Sequence, residues 1–207
     1  MRIFIGIDLD DTIRRKIARF LEGVSGFAPE ARWVKSESLH ITLKFIGEQK
    51  PEQVAAISQR LRKIQSTPIE IGVSEYGFFP TVKAPRVFWI GIEAGPALRE
   101  LATDIDKATG ELGIPREERA FSPHLTLARA GAHGKTRSGD PKWRKGDKPN
   151  SGFATLQKRL AQMVESDSEG LDFGKMTADT FVLYESHLSP AGSQYSKLEK
   201  FPLGRNE

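Results

Sequence analysis

Two blocks of this sequence recur in the same order, and a chain built that way is constrained to a fold with two equivalent halves. Arg2-Ile3-Phe4-Ile5-Gly6-Ile7-Asp8 matches Arg86-Val87-Phe88-Trp89-Ile90-Gly91-Ile92-Glu93, allowing one extra residue. Ser38-Leu39-His40-Ile41-Thr42-Leu43 answers Ser122-Pro123-His124-Leu125-Thr126-Leu127, displaced by 84 positions. One match of this length carries little. Two in register point to a duplication.

Each half shows the same succession of periodicities. Residues 2–8 set Ile3, Ile5 and Ile7 against Arg2, Phe4 and Gly6, the alternation of a strand. Ile13, Ile17, Phe20, Leu21 and Val24 follow at helical spacing. In the second half Pro85–Glu93 reads as a strand, and Leu98, Leu101, Ile105 and Leu112 mark the next helix. The His segments, 38–46 and 122–129, alternate as strands. Each precedes an amphipathic helix, one with Val54, Ile57, Leu61 and Ile64, the other with Phe153, Leu156, Leu160 and Met163. Strands near 69–79 and 176–188 close the halves, and Tyr195–Pro202 adds a short one. No Pro/Gly linker divides the halves, so the expectation is one α+β domain, 1–207, with two pseudo-twofold lobes.

Composition narrows the class. With 38% apolar and 28% charged residues, 19 Gly and 12 Pro, the chain reads as globular, not disordered or collagenous. The absence of Cys excludes disulfides, thiolate zinc sites and a cysteine nucleophile. No apolar run approaches the ~18–20 residues a membrane span needs. Asp8, Asp10 and Asp11 cut short the apolar N-terminal run that would make a signal peptide. A cytoplasmic protein is expected.

The formal charge of +4 is concentrated in one place. Gly131–Asn150 holds six basic residues (Lys135, Arg137, Lys142, Arg144, Lys145, Lys148) and two acidic ones, while the remainder carries 25 of each sign. Rich in Gly, Pro, Ser and Asn, the stretch reads as a long surface loop inserted at about 131–152, either merely solvated or a basic arm for a polyanion.

In a strand His40 and Thr42 share one face while Ile41 and Leu43 take the other, and His124 and Thr126 behave alike. Each strand thus offers an imidazole with a hydroxyl ~6.6 Å further along. A pseudo-twofold axis would set the pairs across a groove. Two opposed imidazoles suit in-line attack at phosphorus, one neutral and taking a proton, the other charged and giving one. The threonine hydroxyls can donate to the non-bridging oxygens, and no metal is required.

These residues resemble the 2H phosphoesterases, named for two H-x-[ST]-x motifs, and most closely their RNA 2′,3′-cyclic phosphodiesterase branch, also called 2′-5′ RNA ligases. The resemblance rests on Arg2 to Leu9, His40-Ile41-Thr42-Leu43-Lys44-Phe45-Ile46-Gly47, Phe79-Pro80 with Pro85 to Gly91, Ser122 to Arg129, and Leu183-Tyr184-Glu185-Ser186 through Pro190, Gly192 and Tyr195. It spans nearly the whole chain except the basic insertion. It implies a bilobal α+β fold in which two antiparallel sheets line a central groove, with helices on the outer faces. It also implies hydrolysis of RNA 2′,3′-cyclic phosphate ends to 2′-phosphates without a metal; no cofactor is expected, tRNA fragments are one candidate for the RNA, and a monomer is the expected state. Carried over, His40 protonates the departing 3′ oxygen, His124 activates water, Thr42 and Thr126 hold the phosphate, and Arg129 adds charge. A regular strand puts Arg129 on the face opposite His124, so a twist or bulge would have to turn it back. Other 2H substrates, a 2′-5′ linkage or a small cyclic nucleotide, and a non-catalytic RNA-binding module are the competing readings.

The remaining residues read more plainly. His133 and His187 look incidental. Lys44, on the face of His40 in a regular strand, could meet phosphate or simply be exposed. Phe78, Phe79, Trp89 and Tyr184 read as core, with room for one to stack on a base. Neither H-E-x-x-H nor a Gly-rich phosphate loop occurs.

Overall fold

Aliphatic side chains at every second position drive the first strand, β1 (Arg2–Asp8), into the interior, where Ile3, Ile5 and Ile7 are fully buried. Burial of each is worth about 1.5–3 kcal/mol. Helix α1 (Asp11–Val24) starts where the Asp10 carboxylate accepts the Ile13 N–H at 2.7 Å, an N-cap, and buries Ile13, Ile17, Leu21 and Val24. A two-residue strand, β2 (Arg32–Trp33), leads to β3 (His40–Glu48) and then α2 (Pro51–Leu61). The long β4 (Ile69–Thr81) turns directly into β5 (Ala84–Ala94), followed by α3 (Pro96–Gly110) and β6 (His124–Arg129). Proline in the first turn of α2 and α3 suits a position whose N–H has no helical partner. The chain ends with α4 (Ser151–Ser166), β7 (Asp172–Ala178), β8 (Thr180–Ser189) and β9 (Gly192–Pro202).

This computed structural model describes residues 1–131, 151–166, 171–189 and 192–204. The basic insertion expected at 131–152, and His133 within it, lie outside the described residues apart from its two ends.

The strands form two antiparallel sheets, ordered β3-β1-β8-β9 and β2-β6-β5-β4-β7. Stripped of β2, the two orders correspond, with β3, β1, β8 and β9 answering β6, β5, β4 and β7. The α+β, two-sheet, pseudo-twofold architecture is therefore as the sequence implied. The halves, however, are interleaved. The strand near 69–79 closes the first half in sequence but pairs with β5 of the second. The segment 176–188 is not one strand: it breaks at Asp179, leaving β7 beside β4 and sending β8 across to β1. The helices cross in the same way. Helix α1 leaves the first sheet and packs against β7 of the second, with Phe20 edge-on to Phe173 at 5.3 Å. Helix α3 leaves the second sheet and packs against β3 and α2. Helix α4 covers β4 and β5 of the second sheet, where Phe153 meets Phe78 at 5.8 Å. Buried residues from both sheets and all four helices form one continuous hydrophobic cluster. A smaller cluster, Phe4, Val182 and Tyr184 with Tyr195 against it, covers the other face of the first sheet.

Candidate active site

Each histidine opens its strand, His40 at the start of β3 and His124 at the start of β6. The two strands run close together without a ladder between them, and the site forms along that seam. Both rings are anchored in the same manner. Nδ1 of His40 lies 2.8 Å from the Ser38 carbonyl oxygen, and Nδ1 of His124 lies 2.8 Å from that of Ser122. A carbonyl only accepts, so Nδ1 carries the proton in each ring, and Nε2 is left as the atom available for proton transfer. Beside β3, Gly6 is required by close approach: a Cβ there would stand 2.7 Å from the Ile41 carbonyl oxygen.

Both strands bulge at the same place. In β3, Thr42 pairs with Gly6 and Lys44 with Ile5, so Leu43 is the extra residue. In β6, Thr126 pairs with Trp89 and Ala128 with Phe88, so Leu127 is the extra residue. A bulge shifts the alternation by one, and two successive side chains then point inward. Leu43 with Lys44, and Leu127 with Ala128, are accordingly all buried. Beyond the bulge Arg129 returns to the face of His124, which resolves the conflict that strict alternation creates. Its guanidinium is close enough to both imidazoles for its charge to disfavour their protonation.

The same device corrects the reading of Lys44. Lys44 does not share the face of His40. It is 2% exposed, paired with Asp106 of α3, and donates to the Pro115 carbonyl at 2.9 Å. Asp106 also accepts from Arg116 Nε at 2.8 Å and from the Glu117 N–H at 3.0 Å. Burial pushes this carboxyl up, but the bonds from Lys44, Arg116 and Glu117 outweigh it and hold the group down to about 2. The knot ties β3 to the segment that leads into β6. Phe45, 57% exposed, takes the position in β3 that Arg129 takes in β6.

Aromatic rings flank each imidazole. His40 lies over Phe4 at 4.6 Å and edge-on to Tyr195 at 5.0 Å, with Tyr184 stacked on Phe4. His124 stands edge-on to Phe79 at 5.1 Å, with Trp89 stacked on Phe79. Of the aromatics expected in the core, Phe78 and Tyr184 are buried there, Tyr184 in the smaller cluster beside His40, whereas Phe79 and Trp89 are half-buried beside His124. Burial lowers His40 to about 4, with the Ser38 carbonyl and the Asp8 carboxylate opposing and Arg129 and Arg14 reinforcing. Burial also lowers His124, and Arg129 adds to the effect. Arg129 stays exposed, yet partial burial lowers its pKa, with Tyr195 opposing and neighbouring Arg32 reinforcing the effect.

Sequence reasoning missed Asp8. It stands opposite His40 in the ladder, its carboxylate held by Arg14 at 2.5 Å and by Lys197. The place opposite His124 belongs to Gly91, so the carboxylate breaks the symmetry. The aligned block offered Glu93 as the partner of Asp8, which hid the difference. Thr42 and Thr126 are half-buried on the histidine faces, and neither hydroxyl is bonded within the described residues. His187 lies elsewhere, 3.0 Å from Ser196 Oγ. No group of three or more His, Asp or Glu among the described residues is arranged to hold a metal ion. No helix among them is long and apolar enough to cross a membrane.

Residues 7–89 and 90–139 match the family model described as LigT-like phosphoesterase. A protein of Archaeoglobus fulgidus named RNA 2′,3′-cyclic phosphodiesterase is 32% identical, over 97% of this chain and 99% of its own length. One of the same name from Methanocaldococcus jannaschii is 31% identical, over 97% of this chain and 100% of its own. Among solved structures, the protein TT0787 of Thermus thermophilus superposes with a TM-score of 0.73 at 25% identity, covering 98% of each chain.

Proposed function

This chain belongs to the LigT-like phosphoesterases of the 2H superfamily, and from that premise we propose that it hydrolyses 2′,3′-cyclic phosphate ends of RNA to 2′-phosphates through its two histidines, without a metal. The observation that carries the reading is the matched anchoring of the imidazoles, both fixed through Nδ1 and both left with Nε2 to exchange protons.

In this mechanism His124 Nε2 takes a proton from water as its oxygen bonds to phosphorus. The P–O3′ bond breaks in line, and His40 Nε2 delivers a proton to the departing oxygen. One water is consumed, leaving a 3′ hydroxyl and a 2′-phosphate, and each imidazole ends in the other's initial state. Thr42 and Thr126 donate to the non-bridging oxygens, and Arg129 neutralises their growing charge. Chemically identical rings need something to assign their roles. Asp8, opposite His40 and without a counterpart opposite His124, is the local charge that favours a proton on His40, although burial outweighs it in the free protein. In the free protein burial holds both rings neutral near pH 7, so the proton reaches His40 most readily once an anionic phosphate enters.

The test is a defined RNA ending in a 2′,3′-cyclic phosphate, incubated with chelator present. Conversion to a terminal 2′-phosphate is expected. A 3′-phosphate product would overturn the assigned direction of ring opening, and loss of activity restored by added metal would overturn the proton-transfer mechanism.

A further inference from the structure

Arg32 and Arg129 stand directly opposite each other in the ladder between β2 and β6. Like charges at facing positions repel and destabilise a sheet, so the pair calls for a compensating partner. Within the described residues Arg32 has none: neither a salt bridge nor a side-chain hydrogen bond engages it, and it is exposed. Its orientation is fixed from two sides. Its neighbour Trp33 points into the core, donating Nε1–H to the Ala28 carbonyl at 2.9 Å and meeting Phe88 edge-on at 6.0 Å. Alternation therefore turns Arg32 to the other face, the one that carries Arg129. The charge of Arg32 also bears on Arg129, in keeping with their facing positions in the ladder. Because β2 is the edge strand beyond β6, Arg32 extends the positive surface one strand outward from the histidines.

We propose that Arg32 is a binding site for the backbone phosphate next to the terminal nucleotide, so that it selects an RNA strand over a cyclic mononucleotide. The proposal rests on the reading of the histidine groove as the site of the terminal cyclic phosphate. Facing residues on neighbouring strands have Cβ atoms about 4.5–5.5 Å apart. Two long guanidinium arms starting from such positions can hold two successive phosphates of one strand. An anion held between and beyond them offsets the repulsion between the two facing guanidinium groups. Arginine suits the task because its planar fork binds phosphate in a bidentate manner.

The test compares three ligands on wild type, R32A and R32K: a 2′,3′-cyclic mononucleotide, a trinucleotide ending in the cyclic phosphate, and the same trinucleotide with neutral methylphosphonate linkages. R32A should lower kcat/KM on the ordinary trinucleotide about tenfold more than on the mononucleotide, the size of one lost charged hydrogen bond. That excess should vanish with the methylphosphonate chain, and R32K should recover part of it. The slope of log affinity for the trinucleotide against log salt should fall by about 0.7. An equal loss on all three ligands would overturn the proposal, since Arg32 would then serve the terminal phosphate or the fold. Turnover of none of them by wild type would instead strike the reading of the groove. Arg32 would then be judged by the binding of the two trinucleotides, measured by fluorescence anisotropy, where equal affinities in wild type and R32A overturn it.

Discussion

His40 and His124 hang from backbone carbonyls in the same geometry, and for such a pair the charge state decides what each can do. A mechanism that needs one charged and one neutral imidazole runs fastest at a pH between their two ionisations. In the free protein burial puts His40 at about 4 and His124 below histidine's ordinary 6.5. Because kcat/KM reports the free protein, its optimum should fall between about 4 and 6.5. A bound phosphate anion favours both imidazolium forms, so the optimum of kcat should lie at higher pH. Parallel profiles of the two parameters on a cyclic mononucleotide check this, and a kcat/KM that climbs to a plateau above pH 7 would contradict it. His40→Ala and His124→Ala should each lower kcat by about 10²- to 10⁴-fold, as expected for loss of a general acid or base. Equal rates with and without EDTA should accompany them. At this scale the sequence was most informative, because the order of residues in each H-x-T already set imidazole and hydroxyl on one face. It was silent on Asp8, whose place opposite His40 depends on strand pairing that no local pattern records.

Strands and bulges are where reading the chain and seeing it part company. Strict alternation predicts Lys44 beside His40 and Arg129 away from His124, and both inversions come from one extra residue, Leu43 or Leu127, after each Thr. Nothing in an aliphatic leucine announces that role. The segment 176–188 misled for a related reason: alternation runs on past Asp179 while the chain changes sheets. The bulge in β3 has an energetic signature. By turning Lys44 inward it builds the ionic knot with Asp106, and removing the lysine takes from the carboxylate one charged partner while leaving it Arg116 and the Glu117 N–H. K44A should therefore destabilise the fold by about 1.5–3 kcal/mol, and K44M paired with D106L should recover much of the loss. Urea unfolding at pH 7 measures both; a K44A effect below about 1 kcal/mol would show that Lys44 is not the partner that matters. The pH dependence has a definite sign. Asp106 is held to about 2, below the usual 3.8, so its contribution is present above pH 4 and is lost as pH falls toward 2. Stability should drop by about 2 kcal/mol over that window in wild type and by less in D106N.

At the scale of the whole molecule, charge separates two kinds of contact that the proposed RNA substrate would make. Outside Gly131–Asn150 acidic and basic residues are equal in number, so the long-range attraction for a polyanion should come chiefly from that segment. In the proposed mechanism the terminal phosphate, by contrast, is met at close range by Arg129 and two hydroxyls, where geometry counts for more than net charge. A variant in which 133–149 is replaced by a short Gly/Ser linker should therefore bind long RNA more weakly and turn over a cyclic mononucleotide at nearly the wild-type rate. With six basic residues removed, the slope of log affinity against log salt should fall by no more than about four, each phosphate contact contributing about 0.7. Equal losses on long RNA and mononucleotide would mean that the segment serves the groove itself. An unchanged salt slope would mean that its charge never meets RNA, and attraction would then have to come from the rim of the second sheet, where Arg32 and Arg129 stand.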